Sequence, residues 1–153
     1  MFHRTVRVAV ITGVAVAALA EVPSAEAASS PVRVSQVYFD PPGNDTKAKA
    51  SKLNLEKVVI RNTGRKAVSL AGWTLRDTSR THRFVFPKGF KLAAGATVTV
   101  HTGSGKNTAG HLYWRSKDWI WNNDGDRAYL RNAKGTVVHQ CAWTKKSASP
   151  KFC

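Results

Sequence analysis

Beyond residue 31 apolar and polar residues alternate in short runs, each stopped by Gly, Pro, Asn or Asp, and no long segment repeats at the helical spacing. Successive side chains of a strand point to opposite faces, so this pattern restricts the chain to strands with one buried side. The runs are 32–39, 55–62, 67–70, 72–77, 82–86, 97–100, 126–131 and 136–143, the last two joined around Asn132-Ala133-Lys134-Gly135. Residues 44–52 are polar, small and basic and read as an exposed loop. About eight or nine short strands at this spacing predict an all-β domain, a β-sandwich or barrel. No longer repeat points to a propeller or solenoid.

Alternation also assigns faces. Glu56, Val58, Ile60 and Asn62 share one side of their strand, with Lys57, Val59 and Arg61 on the other. Trp73, Leu75 and Asp77 oppose Thr74 and Arg76, while Ala128 and Leu130 oppose Arg127, Tyr129 and Arg131. The outward sets are basic. If these strands share one sheet, Lys57, Arg61, Arg76, Arg127 and Arg131 form a single cationic stripe.

The N-terminus has a different character. Arg4 and Arg7 precede an uncharged stretch over 8–20, and Ala25-Glu26-Ala27 follows. That order predicts a cleavable signal peptide over 1–27. The uncharged stretch is shorter than the roughly 20 residues a membrane helix needs, so cleavage is expected rather than anchoring. A short linker (28–31), a domain (32–143) and a C-terminal tail (144–153) would follow, giving a secreted, extracellular or envelope-associated monomer. The chain carries 24 Lys and Arg against 9 Asp and Glu, a net charge of +15. Arg4 and Arg7 offset Glu21 and Glu26, so the excess survives processing. It favours anionic partners: cell-wall polyanions, nucleic acid or acidic headgroups. Cys141 and Cys153 are the only cysteines, and an even number in an exported chain reads as a disulfide. An internal bond would pin the last residue. An intermolecular bridge is the alternative.

Several segments together resemble the lamin-tail domain family. They are Glu56-Lys57-Val58-Val59-Ile60-Arg61-Asn62-Thr63-Gly64, Val68-x-Leu70-x-Gly72-Trp73-x-Leu75-x-Asp77, Phe84-x-Phe86-Pro87, Leu92-x-x-Gly95 and Trp121-Asn122-Asn123-x-Gly125-Asp126-x-Ala128-x-Leu130. The resemblance covers about residues 32 to 143 and implies an immunoglobulin-like β-sandwich. It makes Glu56, Asn62, Gly72, Trp73, Asp77, Trp121, Asn122, Asn123, Gly125 and Asp126 structural motif positions. Bacterial members resemble exported modules, often attached to nucleases, esterases or surface proteins, and lamin tails are linked to DNA, chromatin and protein partners. Lys57 departs from the pattern, since the position after the Glu is usually aromatic, and the Cys141/Cys153 pair is not a general family feature.

The remaining constellations have structural readings beside their chemical ones. Asn122-Asn123-Asp124-Gly125-Asp126 is oxygen-rich, but it lacks the distal acidic ligand of a helix–loop–helix calcium site and reads as a tight turn, with calcium the alternative. Trp73 reads as core. Trp114 and Trp119 divide between packing and exposed stacking near Arg115 and Lys117. His82, His101, His111 and His139 lie on separate segments with no nucleophile–base motif, and Gly103-Ser104-Gly105-Lys106 is too short for a phosphate loop and reads as a flexible or hairpin loop. No catalytic set, metal site or cofactor site is therefore expected. The sequence points to a secreted, non-catalytic binding or structural module for an anionic partner. DNA binding beside an extracellular nuclease or in DNA uptake, and addition of a sheet edge to a protein partner, are the alternatives.

Overall fold

The computed structural model describes residues 30–43, 50–79 and 81–153. The leader expected over 1–27 lies outside them. The strands are β1 (Val32–Tyr38), β2 (Lys57–Asn62), β3 (Val68–Ser69), β4 (Thr74–Arg76), β5 (Arg83–Val85), β6 (Lys91–Leu92), β7 (Thr97–His101), β8 (His111–Tyr113), β9 (Gly125–Arg131), β10 (Val137–Thr144) and β11 (Lys151–Phe152), with one helical turn, α1 (Ala50–Leu53). Two sheets carry the fold, in the orders β11-β1-β2-β7-β8 and β10-β9-β4-β5, and β3 pairs with β6 in a small ribbon. Every pairing is antiparallel except β7 with β8.

The core lies between the sheets. Val32, Val34, Val37, Val58, Ile60, Val98, Val100 and Leu112 face it from the first sheet, and Leu75, Phe84, Ala128, Leu130, Cys141 and Trp143 from the second. Aromatic rings run through it in sequence: Phe39 on Trp143, Trp143 on Trp121, Trp121 on Trp114, Trp114 on Phe84, Phe84 on Phe86 and Phe86 on Phe90, with centroids 4.9 to 6.1 Å apart. Stacked and edge-on rings at these separations add to simple burial. Trp73 is core as expected, and Trp114 packs against the core while half-buried.

There are eleven strands rather than eight or nine. The additional ones, β6, β8 and β11, are two or three residues long and too short to alternate. In the 44–52 segment, where the sequence predicts a loop, the helical turn α1 begins at Ala50. The Gly103–Lys106 stretch is no hairpin, because it links the parallel strands β7 and β8. Thr74, assigned outward by alternation, is only 5% exposed. The end of the chain is also more than a tail: β11 pairs with β1 through Gln36 opposite Phe152 and Val37 opposite Lys151. Cys141 and Cys153 are disulfide-bonded, with Cα atoms 5.6 Å apart. Since β10 and β11 are edge strands of different sheets, the bond ties the edge of one sheet to the neighbouring edge of the other.

Candidate functional site

The motif residues hold loops in place. Glu56 is fully buried and its carboxylate accepts from the backbone N–H of Ile120 (3.1 Å) and Trp121 (2.8 Å). Asn62, also fully buried, donates to the carbonyls of Lys66, Leu92 and Ala93 and accepts from the Gly64 N–H. Asp126 accepts from the N–H of Asn122, Thr78 and Arg127 and from the Thr78 hydroxyl. Gly125 has φ of +141°, and a Cβ there would sit 3.3 Å from the Trp143 carbonyl oxygen. The Asn122 carbonyl accepts from Trp143 Nε1, and Asn123 donates to Asp40. This web of backbone bonds makes the Asn/Asp/Gly segment a structural turn, and no cluster of three or more His, Cys, Asp or Glu suited to a metal occurs among the described residues.

Asp77 meets His82 Nδ1 at 2.5 Å. Burial raises the Asp77 carboxyl above its ordinary range, opposed by the His82 contact that pulls it down. The pair joins the segment after β4 to the start of β5. The geometry is that of a brace between these two segments.

The five basic residues do not form one stripe. Lys57 and Arg61 lie on β2, in the first sheet, whereas Arg76 lies on β4 and Arg127 and Arg131 on β9, in the second. The two groups therefore occupy opposite outer faces. Alternation fixes a side chain's face within its own sheet, but which strands share a sheet depends on pairing that no local pattern encodes.

On the first face, Lys57 stands between Tyr38 and His101 in register, with its Nζ 4.5 Å from the Tyr38 ring centroid. His101 stacks on His111 and on Tyr113. Arg61 is opposite Arg33, which the sequence reading did not single out. Lys57 thus occupies an aromatic row and rests its charge on a ring face.

The second face is more concentrated. Registered rows place Gln140, Tyr129, Arg76 and Arg83 side by side, and Arg131 beside Thr74 and Val85. The guanidiniums of Arg127 and Arg131 lie 5.7 and 5.6 Å from the Tyr129 ring centroid. Arg131 also donates to the Gly135 carbonyl at 3.1 Å. The only acidic residue in these four strands, Asp126, is buried. Arg76, Arg83 and Arg131, with Gly72, Thr74 and the 132–135 turn, line a cleft of about 210 Å³. Arg83 was not anticipated, although the alternation over 82–86 that turns Phe84 and Phe86 inward turns Arg83 outward.

A second concavity, about 390 Å³, is lined by Phe39, Pro41, Trp119, Trp121 and Asn122 to Asp124. Trp119 is half-buried here, and its Nε1 is buried without a hydrogen-bond partner. No helix among the described residues is long and apolar enough to cross a membrane.

No curated protein sequence matches the chain. The family model of the Lamin Tail Domain matches residues 25–145, and the two-sheet sandwich is in keeping with that match. The chain belongs to the lamin-tail-domain family of immunoglobulin-like binding and structural modules.

Proposed function

We propose that the protein is an exported, non-catalytic module that holds an anionic polymer at the cell envelope, with the outer face of the β10-β9-β4-β5 sheet as its contact surface. The observation that carries this reading is the grouping of Arg76, Arg83, Arg127 and Arg131 on one face where no acidic side chain is exposed from the strands. Export is supported by the leader pattern over 1–27 and by the Cys141–Cys153 disulfide, a bond that persists in oxidising compartments. Arg33, Lys57 and Arg61 on the opposite face form a weaker secondary patch, because only two of the three are paired in register with one another.

Each polymer charge neutralised by Lys or Arg releases a counterion, so affinity should fall steeply with salt. The test is a salt titration of the purified protein against a wall polyanion and duplex DNA in parallel. The triple variant R76Q/R127Q/R131Q should flatten the salt slope by about three charges, and K57Q/R61Q should leave most of it. No binding at low salt, or equal slopes for both variants, would reject the proposal. Tighter binding to DNA than to the wall polymer at equal charge would reassign the module to nucleic acid. Sheet-edge pairing with a protein would fall to β10 (Val137–Thr144), since the other edge strands, β5, β8 and β11, are two or three residues long.

A further inference from the structure

On the reading that this arginine face is the contact surface, we infer that the cleft between β4, β5 and the 132–135 turn seats one phosphate group of the bound polymer. Three guanidiniums, those of Arg76, Arg83 and Arg131, line it, with no carboxylate among the lining residues. Arg76 and Arg83 stand directly opposite each other on adjacent antiparallel strands. Like charges in that position destabilise a sheet unless something neutralises them. The Nε–H groups of Arg76 and Arg131 are buried and have no hydrogen-bond partner. Buried donors are ordinarily satisfied, and two unsatisfied guanidinium donors at one cleft mark the place of an acceptor that binds there.

The geometry favours a tetrahedral oxyanion. Guanidiniums present forked donors that match phosphate oxygens pairwise, and three of them around one cavity suit a group with oxygens in several directions better than a planar carboxylate. Arg131 is already oriented, by its bond to the Gly135 carbonyl at 3.1 Å and by the Tyr129 ring beneath it. Arg83 is exposed and able to close over the group from the edge strand. Gly72, with φ of +75°, brings its backbone against the turn: a Cβ there would lie 3.6 Å from the Ala133 Cβ. The turn is fixed in its own right, since the Asn132 side-chain oxygen accepts from the N–H of Lys134 and Thr136. Arg127 lies across Tyr129 and does not line the cleft.

The phosphate could be a chain-end monoester or a backbone diester. Titration of the protein with methyl phosphate, dimethyl phosphate, acetate and chloride at constant ionic strength, followed on the arginine Nε–H signals by NMR, separates them. Saturating shifts are expected at Arg76 and Arg131 with a phosphate ester, small shifts at Arg127 and none at Arg33 or Arg61. Saturation by either ester supports the seat, and the tighter ester names the source. Arg76→Lys keeps the charge but removes the Nε–H and the fork, and should weaken ester binding by about tenfold. Shifts that never saturate, or that acetate reproduces, overturn the seat, as does wild-type affinity in a folded R76K. Polymer binding without ester saturation sinks the seat and leaves the proposed function standing. Ester saturation without polymer binding does the reverse.

Discussion

The Asn62 amide has two N–H hydrogens and three carbonyl acceptors, at 2.8, 3.0 and 3.1 Å, while its oxygen takes the Gly64 N–H at 2.9 Å. One buried side chain thus fixes the turn after β2 and the end of β6. Asn62→Asp removes every donor and turns carboxylate oxygens toward carbonyl oxygens. It should cost more than Asn62→Ala, which loses the bonds without adding a charge. We expect roughly 2 kcal/mol for the alanine and 3 kcal/mol or more for the aspartate, from the cost of unsatisfied buried groups. Urea denaturation gives both values, and an aspartate variant no worse than alanine would show that water reaches the site. Glu56→Gln tests the other anchor. A glutamine oxygen can still accept one N–H, but its NH2 would face the second, so a loss of about 1–3 kcal/mol is expected. The family resemblance marked both residues as structural positions in the sequence. Their partners were not legible there, because Leu92, Ala93, Ile120 and Trp121 lie 30 to 65 positions away.

The β7–β8 pair depends on two histidines. His101 Nδ1 lies 3.0 Å from the Asn54 carbonyl, which only accepts, so this nitrogen carries the proton. His101 Nε2 lies 3.0 Å from His111 Nδ1. With His101 neutral, Nε2 accepts and His111 Nδ1–H donates, which joins β7 to β8 through side chains as well as backbone. Burial lowers the His101 pKa, the Asn54 bond opposes this, and the nearby His111 and Lys57 charges lower it further. His139 on β10 is lowered too, by burial and by Arg33, whose Nη2 is 3.4 Å from its Nε2. A depressed folded pKa favours the neutral ring, so this stability is complete above the ordinary histidine value of about 6.5 and is lost as pH falls through the depressed folded values. Between pH 7 and pH 5 the urea midpoint should drop and β8 amides should exchange faster. H101Q/H139Q should flatten the drop. An unchanged pH slope in that variant would assign the acid sensitivity to the carboxylates instead. None of this was visible as a pair in the sequence, since β8 is three residues long and joins β7 in parallel, a pairing no alternation signals.

At the scale of the whole molecule, the sequence was most informative where burial is one-sided. Val58, Ile60, Leu75, Ala128 and Leu130 all face the core as alternation required. It was least informative about which sheet each strand joins, and that alone separates Lys57 and Arg61 from the other three cations. The same limit hid the closing device of the fold. Cys141 and Cys153 could be paired from their number, but the consequence follows only from topology. Cys141 sits on β10, at one edge of the second sheet, and Cys153 follows β11, at one edge of the first. Strand β11 has only two registered pairs with β1 and the exposed Phe152, at 66%, adds little burial. The disulfide, rather than strand pairing, therefore keeps the last strand in the sheet and closes the sandwich on that side. Closing a short loop of 12 positions stabilises by about 2–3 kcal/mol through the unfolded chain. For a domain of this size the double variant C141S/C153S should melt roughly 8–10 °C lower. The variant should also lose amide protection at Cys153, whose N–H donates to the Ser35 carbonyl at 3.0 Å, while β1 and β2 remain protected. A melting point within about 2 °C of wild type with Cys153 still protected would mean that the pairing of β11 with β1 suffices by itself.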